Sequence, residues 1–138
     1  TQRREDAKMS RLEEIEALAR AVIDCGFHLH REIGPGLLES VYQAVMIASL
    51  RERGLEVAAE VTVPIRYKGI VIDNAFKADL IIENNLLIEL KATERASPVH
   101  AKQVLTYLRL LKMPLGLLMN FGQPTFKQGL QRIVNDHC

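Results

Sequence analysis

An excess of charge of one sign is missing from this chain. Its 18 lysines and arginines stand against 17 acids, a formal net charge of +1, so no global basic field marks it as a nucleic-acid binder and only a local basic rim stays open. Aromatic residues make up 5% of the 138 positions, too few for a platform on which successive bases could stack. The two cysteines, Cys25 and Cys138, form neither a metal-ligand spacing nor a disulfide framework, and Cys25, inside an apolar helical segment, is expected to be a free buried thiol. No apolar run is long enough to span a bilayer. Thr1 to Arg20 is charged and helical in character, unlike a secretory signal, which gives the expectation of a cytoplasmic protein without a membrane partner. Repeats and linkers are missing too. Residues 1–138 therefore read as one domain, able to bury a core without staples, with residues 1–10 as a polar, frayed tail.

What the chain does contain is organised around Lys77 to Ala92, KADLIIENNLLIELKA. The stretch reads as two apolar strands joined at Asn84-Asn85, a turn signal because asparagine tolerates the left-handed conformation. Side chains alternate faces along a strand, so Glu89 and Lys91 point the same way, roughly 6.6 Å apart. Leu86, Ile88 and Leu90 point the other way. On the first strand Asp79, Ile81 and Glu83 share a face, and Ala78, Leu80 and Ile82 take the opposite one. Two readings of the charges stay open on this pattern alone. One is a solvated hairpin with a cross-strand ion pair worth less than about 1 kcal/mol. The other is a divalent-metal site, two carboxylates holding Mg²⁺ beside a lysine that polarises a phosphate or a water.

The flanking segments carry their own signals. A helix is predicted from Arg11, with Ser10 as N-cap and Glu13 at the capping-box position. Ile15, Leu18, Ala19, Val22, Gly26, Leu29 and Ile33 form its apolar stripe, and Gly34-Pro35-Gly36 stops it. A second helix is expected from about Leu37 to Glu52, burying Leu37, Val41, Ala44, Val45 and Ala48. Glu39 lies in its first turn, where a carboxylate complements the helix dipole whatever else it does, and Tyr42 stands three residues on. Leu55 to Ile72 is extended, with Pro64 marking an edge or a strand boundary and Tyr67-Lys68-Gly69 a turn. Ser97 and Pro98 suit the N-cap and first position of a third helix, Val99 to Lys112. Val104, Leu105, Leu108 and Leu111 give that helix one apolar face, while Gln103, Tyr107 and Leu110 lie along another. Leu115 to Phe121 reads as a strand covered on both sides, and a last short helix takes Phe126 to Asn135. The helix between strands three and four implies a crossover connection, hence a mixed sheet flanked by helices.

That order, with these residues on it, resembles the PD-(D/E)XK nuclease superfamily, and within it the group of GxxExxY proteins. The naming motif stands as Gly36-Leu-Leu-Glu39-Ser-Val-Tyr42; the superfamily's Asp and Glu-x-Lys match Asp79 and Glu89-Leu90-Lys91. The QxxxY spacing of RecB-like nucleases is met by Gln103 and Tyr107, and Asn120-Phe121-Gly122 and Arg132-Ile133 resemble the C-terminal pattern. The resemblance runs from about Val22 to Val134. Alanine rather than proline precedes Asp79.

The resemblance implies a restriction-endonuclease-like α/β (α+β) core, α-β-β-β-α-β, with an extra N-terminal helix. It implies a metal-dependent nuclease that hydrolyses phosphodiester bonds, with DNA ahead of RNA. Asp79 and Glu89 would bind Mg²⁺ (or Mn²⁺) with the carbonyl of Leu90, and Glu39, the fourth member of the metal set, would complete or orient the metal's water shell or hold a second ion. Lys91 would stabilise the reacting phosphate or help deprotonate the water, and Gln103 and Tyr107 would position Lys91 or grip the substrate backbone. Tyr42, His30, His100 and Lys102 are the candidate substrate contacts. A buried, hydrogen-bonded structural role stays open for His30, and packing on the sheet stays open for Tyr107. His28 and His30 do not share a helix face and make a poor chelating pair. Lys77, Lys91, Arg95, Lys102 and Arg109 supply only modest positive charge, so non-specific affinity for nucleic acid is expected to be low. The competing expectations are a binding or assembly protein that keeps the nuclease fold without useful turnover, a homodimer included, and a hydrolase of some other phosphoester.

Overall fold

A computed structural model of the chain describes residues 1–136; His137 and Cys138, the terminal histidine and the second cysteine, lie outside them. The first helix, α1 (Gln2–Ile33), starts at Gln2, not Arg11, capped by the Thr1 hydroxyl, which accepts the Arg4 N–H. Thr1 to Ser10 holds no glycine or proline and is rich in strong helix formers, so nothing interrupts the helix and Ser10 sits inside it. These ten residues are all exposed. Burial begins at Ile15 and recurs at Ala19, Val22, Cys25, Gly26, Leu29 and His30, while Ile33, expected in the stripe, is exposed. Cys25 is a buried free thiol.

The second helix, α2 (Glu39–Glu52), is turned by one residue from its expected orientation. Tyr42, Met46 and Leu50 are fully buried, whereas Leu37, Val41, Ala44 and Ala48 are exposed and Val45 is half-buried. One residue is roughly 100° of helix rotation. Tyr42 sets it: its ring stacks on Phe121 with 4.7 Å between centroids and an interplanar angle of 7°.

Five strands follow, β1 (Val57–Tyr67), β2 (Ile70–Ile82), β3 (Leu86–Lys91), β4 (Leu115–Asn120) and β5 (Leu130–Val134), in the spatial order β1-β2-β3-β4-β5. The β3–β4 pair is parallel and the other three are antiparallel. A third helix, α3 (Pro98–Leu111), makes the crossover between β3 and β4, with Ser97 at its N-cap. The expected α-β-β-β-α-β order is thus α2-β1-β2-β3-α3-β4, with α1 as the extra N-terminal helix, and the mixed sheet is flanked by helices on both sides. Against one face pack α1 and α2, in a core where Val22, Tyr42 and Met46 meet Leu80, Ile88, Leu90 and Leu117. Against the other packs α3, with Val104 and Leu108 on Ala78, Ile81, Leu87 and Leu118. Burial on both faces accounts for the continuous apolar run of β4. Pro64 lies on the edge strand beside a register shift, as a residue without an N–H must.

The C-terminal segment differs from the helix expected over Phe126 to Asn135. A single turn, α4 (Phe126–Gly129), closed by a Thr125–Gln128 capping box, gives way to β5. Gly129 lies so close to the end of β4 that a Cβ there would collide with the Asn120 carbonyl. That approach delivers Leu130 to β4, whose backbone would otherwise be an unpaired edge. Arg132 then forms an ion pair with Glu16 of α1.

Candidate active site

The hairpin of β2 and β3 pairs Ile82 with Leu86, Ile81 with Leu87 and Leu80 with Ile88, and the ladder stops there. Its turn is Glu83-Asn84-Asn85, with Glu83 and Asn84 left-handed at φ 52° and 55°, so Glu83 leaves the face it was expected to share with Asp79. Asp79 and Glu89 stand opposite each other at the next level. Here side chains take over the backbone bonding: the Leu90 N–H donates to Asp79 Oδ2 at 2.8 Å, and the Asp79 N–H donates to Glu89 Oε1 at 3.0 Å. The other neighbour of β2 is interrupted at the same level. Ala59 pairs with Leu80 and Val61 with Ala78, but Glu60 between them, at φ 51°, is skipped. Ala78 accordingly packs in the α3-side core with Ile81, not with Leu80 and Ile82 as simple alternation would have it. Asp79 therefore occupies a break in the sheet, where the Leu90 N–H fixes its carboxylate through Oδ2.

Glu89 is 6% exposed. Burial, and then the Asp79 carboxylate beside it, push its carboxyl up to about 8. In its protonated form Glu89 can hydrogen-bond the Asp79 side chain. Lys91, half-buried on the same face of β3, supplies the nearest positive charge, felt by Glu89, by Glu39 and by His100. Glu39 opens α2. Its carboxyl is pushed up by burial, drawn down by Lys91 and raised again by Asp79, so it faces both.

The turn before α2 explains how Glu39 arrives there. Gly34 and Gly36 have φ 79° and 107°, conformations open to glycine without strain. The Tyr42 hydroxyl donates to the Gly34 carbonyl at 2.6 Å and accepts the Leu37 N–H at 3.3 Å. Tyr42 is 0% exposed. Expected among the substrate contacts, it is instead buried with its hydroxyl tied into the turn that presents Glu39. His30, also a candidate substrate contact, is buried, its Nε2 donating to the Gln123 carbonyl at 2.9 Å. That is the structural alternative.

On α3, Tyr107 is half-buried and stacks on Phe76 with 3.9 Å between centroids. Burial, then Glu89 and Asp79, raise its phenol, which puts it within the field of the acid pair. Gln103, one turn earlier, is exposed. His100 and Lys102 line a cavity of about 560 Å³ that also borders Lys91; the His100 ring is pushed down by burial and by Lys91.

Sequence reasoning overlooked what holds the loop after Lys91. Asn120, 7% exposed, accepts the N–H groups of Thr93 and Gly122, both at 3.0 Å. The Gln123 amide donates to the carbonyls of Thr93 and Glu94. The signal was present as Asn120-Phe121-Gly122 at the end of a buried strand, an asparagine with an adjacent turn.

Whether the residues fit a divalent ion is a question of donor chemistry. Asp79 and Glu89 are hard oxygen donors, crowded and short of positive charge, the condition a Mg²⁺ or Mn²⁺ ion relieves. Among the described residues, however, no group of three or more His, Cys, Asp or Glu side chains lies together to hold a metal. Glu39, expected in the metal set, therefore does not complete such a group with the pair; its carboxyl is linked to them through the charges of Lys91 and Asp79.

Residues 16–133 match the family model described as the PD-(D/E)XK nuclease superfamily. The crystal structure of SSO0001 aligns with 70% of this chain at a TM-score of 0.52 and 22% identity, a likeness of fold. The chain spans 50% of the length of that protein. No curated protein matches it. Among the described residues no helix is long and apolar enough to cross a membrane. With a match over nearly the whole domain, on a sheet broken at Asp79 and Glu89, the chain belongs to the PD-(D/E)XK nuclease superfamily.

Proposed function

We propose that this chain hydrolyses phosphodiester bonds of nucleic acid, DNA ahead of RNA, with Mg²⁺ or Mn²⁺, as a GxxExxY-group member carrying the RecB-like QxxxY variant. One observation carries the reading: two acids face each other across a deliberate gap in the sheet, each bonded to the opposite strand's backbone, with Lys91 beside them. Asp79, Glu89 and the Leu90 carbonyl would hold the ion, which supplies charge for the phosphate and acidifies a bound water. Because backbone N–H groups fix both carboxylates beforehand, little reorganisation is needed at the moment of reaction. Lys91 neutralises charge that develops on the reacting phosphate. Glu39, its carboxyl raised by burial, orients the attacking water and is suited to accept its proton. Tyr107 and Gln103 hold Lys91 or the substrate backbone, and His100 and Lys102 contact phosphate.

The second reading is a nuclease-fold binding or assembly protein without useful turnover. It is favoured by the lack of a three-carboxylate group among the described residues and by the net charge of +1. Cleavage of single- and double-stranded DNA and of RNA, with Mg²⁺ or Mn²⁺, separates the two. In the nuclease reading, Asp79→Ala and Lys91→Ala each lower the rate by about 10²-fold or more, the scale of losing one transition-state contact. Cleavage that is equal in wild type and both variants, or none at all, favours the binding protein.

A further inference from the structure

The cavity of about 560 Å³ beside Lys91 extends past Lys91, His100 and Lys102 to Gln128, Gly129 and Gln131. It opens between the sheet and the start of α3. Its apolar lining includes the buried Leu118 of β4 and the half-buried Ala101 of α3; Lys91 and His100 are half-buried in its wall, and Lys102 of α3 and Gln131 of β5 are exposed at its rim. Leu118 and Gln131 are paired across β4 and β5, so both side chains rise from the same face of the sheet that carries Glu89 and Lys91. The loop that brings Ala96 and Ser97 into the lining is held at its start, Thr93 by Asn120 and Gln123 and Glu94 by Gln123.

Each part of that lining has a counterpart in one chemical class. An apolar floor suits the face of a planar ring. A free carboxamide at the rim donates and accepts, as the edge of a nucleobase requires. Three nitrogen-bearing side chains in the lining, Lys91, His100 and Lys102, suit a phosphate. The volume falls within the roughly 300–1,000 Å³ usual for small-molecule sites, room enough for one nucleotide.

We infer that this cavity takes a single unpaired nucleotide of the substrate, its base over Leu118 and against Gln131 and its phosphate toward Lys102 and His100. The inference rests on the nuclease reading for the word substrate, and it narrows that reading: the strand cut at Lys91 must be single-stranded, or frayed by at least one nucleotide, on the α3 side.

The test is binding of deoxyadenosine 5′-monophosphate in EDTA, followed by calorimetry and by NMR shift changes, to wild type, Lys102→Ala and Gln131→Trp. Both positions are exposed, and circular dichroism checks that both variants fold. Wild type should bind, Lys102→Ala should bind about tenfold more weakly, as after loss of one charge-assisted contact, and Gln131→Trp, which fills the cavity from its rim, should not bind. Absence of binding to wild type at millimolar nucleotide, or equal binding by all three proteins, overturns the inference. A cleavage assay on blunt duplex and on single strand keeps the two readings apart. Mononucleotide binding without cleavage would sink the nuclease and leave the pocket, while faster cutting of blunt duplex than of single strand would sink the pocket and leave the nuclease.

Discussion

At the scale of single residues, Glu89 is the group most out of keeping with its surroundings. Its carboxyl is pushed up to about 8 by burial and by Asp79, against a value near 4.3 in an unfolded chain. Between those values the native state holds a proton that the unfolded state has released, so stability falls as pH rises through that window. Below it the penalty is absent; above it the penalty is complete. Gln in place of Glu89 keeps an oxygen for the Asp79 N–H but cannot ionise. Urea unfolding at pH 5 and at pH 9 should therefore show wild type losing on the order of a few kcal/mol with rising pH, and Glu89→Gln losing much less. Equal losses would mean that Glu89 is ionised throughout. A buried acid that weakens the fold near neutral pH is the kind of cost retained for function.

At the scale of elements, the Gly-x-x-Glu-x-x-Tyr stretch works as one device. Glycines make the turn, Tyr42 ties it and Glu39 is delivered at the first position of α2. Tyr42→Phe keeps the stacked ring and removes both hydroxyl bonds. It should cost about 1 kcal/mol, a fall in Tm of about 4 °C, with cleavage lowered further because Glu39 is less well held. An unchanged Tm would show that the hydroxyl bonds carry no stability. Periodicity could find α2 but not its rotation, because Val41 and Ala48 fit an apolar stripe as well as Tyr42 and Met46 do. The choice was made by Phe121, far away in sequence. Likewise β5 was hidden because Leu130 to Val134 is too short to announce its period, and only the approach of Gly129 to Asn120 fixes it as a strand.

At the scale of the whole molecule, the order of elements through β4 and the helix-flanked mixed sheet were legible from the alternation of apolar runs with capped helices, and the acid-x-lysine hairpin pointed to the candidate site. The gap at Asp79 was not legible, since it depends on Glu60 of a neighbouring strand adopting a left-handed backbone. Charge acts at this scale too. With a net charge of +1 and few cations near Lys91, nucleic-acid binding should neutralise few phosphates. A plot of log K against log salt is expected to have a slope of about −3 or shallower for duplex DNA. A slope steeper than about −6 would reveal a basic surface elsewhere.

The claim on which these scales converge is that Asp79 and Glu89 together receive a divalent ion. Calorimetric titration of Mn²⁺ near pH 7 into wild type, Asp79→Asn and Glu89→Gln, repeated in buffers of different ionisation enthalpy, tests it directly. Wild type should bind with release of a proton, because the ion displaces the one held by Glu89; both variants should bind at least about tenfold more weakly, and Glu89→Gln should release none. Binding that is absent in wild type, or indifferent to both substitutions, would contradict the claim and leave a nuclease fold whose carboxylate pair serves another end.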